Sequence, residues 1–337
     1  MSTSIHTRNE LASGLQQEQS ASPSAVQSGR SVRIGDPVNY KAWVAKAAKQ
    51  PMVLEIVDLG PLGVEDVEVA VDHCGVCHSD LSVWNNDWGI SQYPAILGHE
   101  VVGRVTAVGP NAKGLTVGQR VGVGWYSGSC MHCHQCMSGS HHLCPQVQPT
   151  IVGHRGGFAT HIRSHWAWAI PLPEQLNFAD AGPLLCGGVT VFAPLTMYAK
   201  PTDRVGIIGI GGLGHMAVKF AAAYGCDVTA FTSNESKFDE AKGFGANHTV
   251  TTKDSTAISK LGGSFDLLIS TVNVKLDWDE MIGTLAPKGR LHVVGAVLDR
   301  RRWISTAVCA NFPKAASSLF SMTAHLMPTG ISISVMP

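Results

Sequence analysis

The first half of the chain alternates short apolar runs with turn-forming residues. Val, Ile and Ala recur in runs of five to eight residues that Gly, Pro or Asp separate. The runs are AWVAK (42–46), MVLEIVD (52–58), VEVAVD (67–72), VGRVTAVG (102–109) and RVGVG (120–124). Because short β-branched runs between turn residues are typical of β-strands, the pattern predicts a β-rich domain of barrel or sandwich type over residues 37–182.

The pattern changes after residue 182 to strands that alternate with helices. A helical pattern begins at Asp180 or Ala181, and buried runs then alternate with helical ones. The predicted strands are RVGIIG (204–209), CDVTAF (226–231), FDLLISTV (265–272) and RLHVVGAV (290–297). Alternation of this kind predicts a parallel sheet covered by helices, so the fold class is α/β, with a second domain over residues 183–300.

The two ends of the chain depart from both patterns. Residues 1–36 are rich in Ser and Gln and poor in aromatic residues, so they are predicted to be a disordered extension. Residues 301–337 are predicted to be a divergent tail, because they show no strand pattern.

Composition narrows the range of partners. The 25 basic and 25 acidic residues give no net charge, which argues against nucleic acid or an anionic membrane as a partner. No apolar run is long enough for a signal peptide or a transmembrane helix. The nine cysteines are an odd number in a long chain, which favours reduced thiols over a disulfide scaffold. We therefore expect a soluble, cytoplasmic protein with a small-molecule partner.

The segment from His73 to Gly109 contains candidate metal ligands. It offers the thiols of Cys74 and Cys77, followed by Ser79 and Asp80, and then the pair His99-Glu100. Thiolate and imidazole are ligands that zinc selects, and a nearby carboxylate can complete or orient the set. The segment therefore predicts a catalytic metal site, although buried core thiols are the alternative and spacing does not decide between the two cysteines.

A second cysteine cluster has the spacing Cys130-x2-Cys133-x2-Cys136-x7-Cys144. Four thiolates on one loop can surround a tetrahedral ion and leave no position open, which predicts a structural zinc. A redox dithiol is the weaker alternative, because it needs only two cysteines. The histidines nearby are interpreted as solvated loop residues.

A glycine motif, Gly209-x-Gly211-x-x-Gly214, lies between a predicted strand and a helix. Such glycines allow a pyrophosphate to approach the helix N-terminus, so the segment predicts a dinucleotide site. NAD enzymes place an acid at the end of the next strand, whereas this chain has hydroxyls and Lys237, which suit the 2′-phosphate of NADP. Glu235 is the counter-evidence. The expected cofactor contacts are Thr190, Gly209, Ile210, Gly211, Gly212, Leu213, Gly214, Thr232, Ser233, Asn234, Lys237, Thr271 and Gly295.

The motif CGVCHSD followed by Gly98-His99-Glu100 resembles the zinc signature of the medium-chain alcohol dehydrogenases. From about Tyr40 to Val297 the chain resembles the branch of cinnamyl alcohol dehydrogenases and NADP-dependent aldehyde reductases. The resemblance implies a GroES-like catalytic domain, a Rossmann domain and NADP(H)-linked interconversion of alcohols and aldehydes.

The resemblance also implies roles for individual residues. It assigns Cys77, His99 and Cys186 as ligands of a catalytic zinc, which leaves Cys74 as a buried thiol. Glu100 would exchange with water at the metal. Asp80 would orient His99, and Ser79 would pass the proton. Aromatic or medium aliphatic aldehydes are the expected substrates, with Trp88 and Trp125 as candidate pocket walls, although tryptophans are more often core residues.

Beyond Val297 the resemblance is expected to end. The family adds a further sheet strand and a return segment there, and the tail shows neither pattern, so the Rossmann domain is predicted to be incomplete at the C-terminus. An inactive or weakly active zinc-binding remnant is therefore one alternative function. A zincless oxidoreductase of the quinone reductase type is another. A homodimer is expected if the C-terminal sheet edge is intact.

Overall fold

The computed structural model describes residues 39–295 and, for the backbone alone, two strands at Met322–His325 and Ser332–Val335. The disordered extension predicted at residues 1–36 lies outside the described residues. So does the predicted tail at 301–337, apart from those two strands.

Antiparallel sheets build the N-terminal part of the chain. The strands are β1 (Asn39–Ala45), β2 (Val53–Asp58), β3 (Asp66–Gly75), β4 (Ala95–Ile96), β5 (Glu100–Val108), β6 (Arg120–Val123), β7 (Tyr126–Gly128), β8 (Gln148–Pro149), β9 (His161–His165) and β10 (Ile170–Pro171). They form sheets with the orders β2-β1-β4, β10-β6-β5-β3-β9 and β7-β8. Alternation explains the burial, because Tyr40, Ala42 and Val44 of β1 face the core while Asn39, Lys41 and Trp43 are exposed.

Short helices connect these strands. They are α1 (His78–Asn85), α2 (His134–Met137) and α3 (Phe178–Ala181), with 3₁₀ turns at His141–Leu143, Trp166–Trp168 and Gly182–Leu185. The pairing of β3 with β5 shifts register between Val71 and His73, so β3 is irregular just before it delivers Cys74 and the loop to Cys77.

A parallel sheet covered by helices forms the rest of the described chain. Its elements are α4 (Gly187–Tyr198), β11 (Arg204–Ile208), α5 (Gly212–Ala223), β12 (Asp227–Thr232), a 3₁₀ turn (Glu235–Lys237), α6 (Phe238–Gly243), β13 (His248–Thr251), α7 (Ser255–Ser259), β14 (Phe265–Ser270), α8 (Trp278–Gly283), β15 (Leu285–Val293), β16 (Met322–His325) and β17 (Ser332–Val335). The strand order is β13-β12-β11-β14-β15-β17-β16. The predicted α/β class is confirmed, and the change from antiparallel to parallel pairing falls between β10 and β11.

The prediction that the tail lacks strands was wrong. β17 pairs in parallel with β15 as a sixth parallel strand, and β16 pairs antiparallel with β17 at the edge. The segment from Ile331 to Val335 reads Ile-Ser-Ile-Ser-Val, which has the period of two that a strand requires. Its short length hid the signal. The sheet therefore contains the further strand that the sequence predicted to be absent.

Within the described residues no single helix is long and apolar enough to cross a membrane. One bent pair, Phe178–Leu185 with Gly187–Tyr198, passes that test by length and composition alone.

Candidate active site

Cys77 is held at the N-terminus of α1 by a reciprocal cap. Its backbone N–H donates to Asp80 Oδ2 at 2.9 Å, and the N–H of Ser79 lies 3.5 Å from the Cys77 sulfur. Asp80 is almost fully buried. The cap fixes the direction of the Cys77 side chain, because a residue at this position satisfies helix N–H groups that would otherwise be unpaired.

Gly98 determines how His99 enters the site. Its φ of +92° lies in the left-handed region, and a Cβ there would lie 2.8 Å from the Cys74 sulfur and 2.7 Å from the backbone nitrogen of Phe158. Only glycine therefore fits. The N–H of Gly98 donates to Asp80 Oδ1 at 2.9 Å, so one carboxylate holds both the α1 cap and the turn before His99.

His99 is fully buried, and each of its ring nitrogens has a polar neighbour. Its Nδ1 lies 3.0 Å from Asp80 Oδ1, and its Nε2 lies 3.2 Å from the sulfur of Cys186, at the N-terminus of α4. The Cys186 and Cys77 sulfurs are 3.7 Å apart. Because Asp80 occupies Nδ1, Nε2 is the nitrogen that faces the two thiols.

Four potential ligand atoms converge at this point. The donor atoms of Cys77, His99, Glu100 and Cys186 all lie within 4.8 Å of one another. Two sulfurs and one imidazole nitrogen with an exchangeable fourth position match the donor set of catalytic zinc. Cys74 is not a member of this set, and its thiol lies 3.5 Å from the carbonyl of Gly75. Burial raises the pKa of Cys74 to about 12.

The electrostatics of the set favour one thiolate next to an imidazolium. Contact with Cys186 lowers the pKa of Cys77 to about 3, and the same contact raises the pKa of Cys186. Burial alone would lower the pKa of His99, but its contacts with Asp80 and Cys77 outweigh burial and raise it to about 9. Burial and the Cys77 charge raise the pKa of Glu100. The Cys77 charge thus opposes ionisation of Cys186 and Glu100, and a cation among the donors would relieve that repulsion.

The second cysteine cluster forms a compact lobe, hereafter the four-cysteine lobe (Cys130–Cys144). Its four sulfurs also lie within 4.8 Å of one another, with Cys136 lying 3.8 Å from Cys130 and 3.6 Å from Cys133. Backbone N–H groups of Cys133 and Gln146 lie 3.3 Å from the sulfurs of Cys130 and Cys144. Four sulfurs and no open position match a closed structural zinc site.

The glycine motif forms a tight turn between β11 and α5. A Cβ on Gly214 would lie 1.8 Å from the carbonyl oxygen of Gly209, so the helix can pack this closely only on glycine. Thr271 donates its hydroxyl to the carbonyls of Ile208 and Gly209, at 3.0 Å each. At Gly211 and Gly212 a Cβ would meet nothing within 4 Å, so open space lies over the turn.

The other predicted cofactor residues lie around this turn. Lys237 donates its ammonium to the carbonyl of Ile210 at 2.8 Å, which places the lysine against the glycine turn. Thr232 ends β12 and is buried, whereas Ser233, Asn234 and Glu235 are exposed. Leu213 lies in the first turn of α5. Thr190 lies in the first turn of α4, and its N–H donates to the Cys186 carbonyl at 3.0 Å.

Gly295 follows the end of β15, at the same edge of the sheet as Thr271. A Cβ there would lie 2.5 Å from the carbonyl of Val272. The contact between Lys237 and Ile210 depends on a loop conformation that has no sequence signature.

The two tryptophans named as pocket walls lie together near His99. The Trp125 ring centroid is 5.0 Å from that of His99, with the ring planes at 85°, and 6.1 Å from that of Trp88. Both indoles are partly exposed and pack on the apolar cluster around Val83 and Leu97. The contact with His99 was missed at the sequence level, because the two residues are not linked by any local pattern.

Comparison with known proteins identifies two family matches. Residues 63–174 match the model of the alcohol dehydrogenase GroES-like domain, and residues 212–323 match that of the zinc-binding dehydrogenases. The second match continues past Val297, where the sequence alone predicted that the resemblance would end.

Individual relatives are similar over most of their length. Aldehyde reductase AdhA of Synechocystis sp. is 51% identical over 261 residues, which cover 77% of each chain. A cinnamyl alcohol dehydrogenase structure from Sorghum bicolor aligns with a TM-score of 0.74 and 36% identity, covering 77% of each chain. A Helicobacter pylori structure of the same kind, complexed with NADP(H), aligns with a TM-score of 0.71 and 29% identity over 78% of this chain and 77% of that one.

Proposed function

Because the chain belongs to the zinc-dependent medium-chain alcohol dehydrogenase family, in the branch of cinnamyl alcohol dehydrogenases and aldehyde reductases, we propose that it catalyses NADP(H)-linked interconversion of primary alcohols and aldehydes. The chain is an oxidoreductase, as its relatives are. The observation that carries the proposal is the convergence of Cys77, His99, Glu100 and Cys186 next to the glycine-turn domain.

Two zinc ions per chain follow from the two donor sets. Cys77, His99 and Cys186 would hold the catalytic ion, and Cys130, Cys133, Cys136 and Cys144 would hold the structural one. The catalytic ion supplies Lewis-acid polarisation of the substrate oxygen. The four-cysteine lobe argues against the zincless alternative, because four converging thiols form a zinc-binding donor set that a zincless oxidoreductase does not require.

The surrounding side chains orient and move protons. Asp80 holds His99 through Nδ1, so Nε2 stays directed at the ligand set. Glu100 offers a carboxylate that can exchange with water in the fourth position. The hydroxyl of Ser79, two residues after the Cys77 cap, would take the proton from an alcohol or return it to the reduced carbonyl.

NADP(H) is the proposed hydride carrier. The turn from Gly209 to Gly214 would bind the pyrophosphate through its N–H groups. The exposed hydroxyl of Ser233, together with Lys237 on the glycine turn, suits a 2′-phosphate, and Glu235 is exposed to solvent. A complex of a relative with NADP(H) supports the same assignment.

The proposed substrates are aromatic or medium aliphatic aldehydes and their alcohols, with Trp88 and Trp125 as apolar walls beside His99. Reduced thiols support a cytoplasmic location, since all eight cysteines in the described residues are free. A homodimer stays a prediction.

The test of the reaction is turnover by the purified protein. We expect two zinc equivalents by elemental analysis, and NADPH oxidation with cinnamaldehyde or hexanal. Two zinc equivalents without turnover of either aldehyde would favour the inactive remnant. Turnover without zinc would favour the zincless alternative.

The test of cofactor preference is a pair of substitutions in one loop. The protein should prefer NADPH over NADH, and Ser233→Asp should reverse this by at least about ten-fold, because the new charge repels a phosphate and accepts a ribose hydroxyl. Ser236→Asp adds the same charge in the next turn and should change the preference less. Equal use of both cofactors by the unchanged protein would contradict the assignment.

A further inference from the structure

Trp125 lies in a position that the proposed reaction does not explain fully. It stands between β6 and β7, and its indole meets the His99 imidazole edge to face, with centroids 5.0 Å apart and planes at 85°. A pocket wall needs only an apolar surface. A perpendicular ring against a buried metal-ligand histidine restricts that histidine directly.

The backbone that carries Trp125 is fixed on both sides by one residue. The N–H of Thr150 donates to the Trp125 carbonyl at 2.7 Å, and the Thr150 hydroxyl donates to the Gly124 carbonyl at 2.7 Å. Thr150 is fully buried. Because a buried hydrogen-bonded residue holds the strand end in place, the indole projects from a rigid support.

His99 needs a second restraint besides Asp80. The contact of Nδ1 with Asp80 fixes one edge of the imidazole, but the ring can still tilt about that contact and move Nε2. Nε2 lies 3.2 Å from the Cys186 sulfur, so a small tilt changes its distance to the other donors. A perpendicular aromatic neighbour opposes this tilt, since aromatic pairs have a preferred edge-to-face geometry.

We propose that Trp125 is a positioning residue that holds the His99 imidazole in its metal-binding orientation. The inference rests on the proposed ligand set of Cys77, His99 and Cys186. It predicts that substitution of Trp125 changes metal binding even when no substrate is present. A residue that only forms the pocket wall would not have this effect. Trp88 provides the contrast, because its ring contacts that of Trp125, with centroids 6.1 Å apart.

The experiment compares Trp125→Leu, Trp125→Phe and Trp88→Leu in the full chain with both zinc sites loaded. Leucine keeps apolar bulk and removes the ring, whereas phenylalanine keeps an aromatic edge or face toward His99. Zinc loss to a chelator is followed without substrate. Trp125→Leu should release the catalytic zinc to the chelator about ten-fold faster, which is the upper end of what loss of an edge-to-face aromatic contact produces. Trp125→Phe should restore most of the difference, and Trp88→Leu should stay near the unchanged protein.

A second readout separates geometry from general stability. Cobalt(II) is exchanged into the protein, and the spectrum of a Cys77→Ser sample is subtracted to isolate the catalytic set. Trp125→Leu should shift or broaden these difference bands, while Trp88→Leu should not. If Trp125→Leu lowers only the melting temperature and leaves zinc release and the cobalt spectrum unchanged, the positioning role is wrong.

The outcomes also distinguish this inference from the ligand assignment. If the unchanged protein and Cys77→Ser hold the same amount of metal, the assigned ligands are wrong and the inference falls with them. If Cys77→Ser lacks one equivalent and Trp125→Leu behaves as the unchanged protein does, only the inference falls. If the KM for a bulky aldehyde changes and the metal does not, Trp125 is a pocket wall.

Discussion

The two donor clusters differ in how the chain assembles them. Cys77 and Cys186 are 109 residues apart and meet only because α1 and α4 begin at the same point, with His99 arriving from the start of β5. The four-cysteine lobe closes within one loop from Cys130 to Cys144. Local sequence is therefore sufficient to form the lobe, whereas the catalytic set needs the whole fold to be in place.

The clusters also differ in what holds their donors. In the catalytic set a buried carboxylate, Asp80, binds an imidazole and two backbone N–H groups. In the lobe, backbone N–H groups point at the sulfurs, and hydrogen bonding from the backbone near His132 lowers the pKa of Cys130 to about 6. The first arrangement fixes a reactive geometry and leaves a position open. On the proposed assignment, the second would surround an ion with four sulfurs and leave no position open, so removal of a ligand should affect chemistry in one cluster and stability in the other.

The largest expected effect is that of Cys77→Ser on turnover. Loss of this ligand should reduce NADPH-dependent aldehyde reduction by at least about a thousand-fold, or about 4 kcal/mol, because Lewis-acid stabilisation is lost. One zinc equivalent should disappear, and the melting temperature should change little. Cys74→Ser is the matched control, since Cys74 is three residues away and outside the donor set. Normal turnover in Cys77→Ser together with loss in Cys74→Ser would show that the ligand is the other cysteine.

Cys136→Ser should show the opposite pattern. Cys136 is buried and lies within 3.8 Å of both Cys130 and Cys133, so its loss breaks the closed set. We expect loss of one zinc equivalent and a decrease in the free energy of unfolding on the order of 3 kcal/mol, a fraction of what a structural zinc contributes. Turnover per folded molecule should stay near normal. If Cys136→Ser loses one zinc equivalent and its free energy of unfolding does not change, the lobe folds without its metal.

Asp80→Asn tests whether the negative charge of Asp80 supports zinc binding in the catalytic set, since no carboxylate belongs to the donor set of the lobe. The amide keeps the shape of the side chain but not its charge, so zinc affinity of the catalytic set should fall about ten- to a hundred-fold, and zinc in the lobe should be unaffected. A chelator titration with zinc quantification measures both. Asp72→Asn is the control, because Asp72 is exposed, pairs with Arg104 at 3.7 Å and belongs to neither donor set. Equal loss from both clusters would contradict a specific role of Asp80.

Sequence predicted the two clusters for different reasons. The spacing of four cysteines is a local pattern, so it identified the lobe without a fold. The choice of Cys77 over Cys74 and the inclusion of Cys186 came only from resemblance, because no periodicity connects a helix start with another one so distant in the chain. In the structure the N-termini of α1 and α4 converge, which brings Cys77 and Cys186 together, and the Asp80 contacts hold His99 beside them.

Other features had no sequence signal of useful strength. The alternating segment from Ile331 to Val335 was too short to stand out, so the last parallel strand was missed. The contact between Trp125 and His99 depends on the path of the chain between β6 and β7. The apolar runs predicted the sheets correctly because a strand that buries one face has apolar residues at alternate positions. That period of two is visible in the sequence, whereas a tertiary contact between distant residues has no such pattern.

The smallest expected effect concerns Met131, which adopts φ of +61° between two ligands of the lobe. A side chain in this left-handed region is strained, whereas glycine is not, although glycine also gains freedom in the unfolded chain. Met131→Gly should therefore raise the free energy of unfolding of the zinc-loaded protein by about 0.5–1 kcal/mol and slow zinc loss from the lobe, with the catalytic zinc unaffected. Met137→Gly is the matched control, because Met137 is exposed and helical at the end of α2, and there glycine should destabilise by about 0.5–1 kcal/mol. Denaturant unfolding measures both variants. If both lower stability equally, the Met131 conformation is not strained and the lobe is held by its thiolates alone.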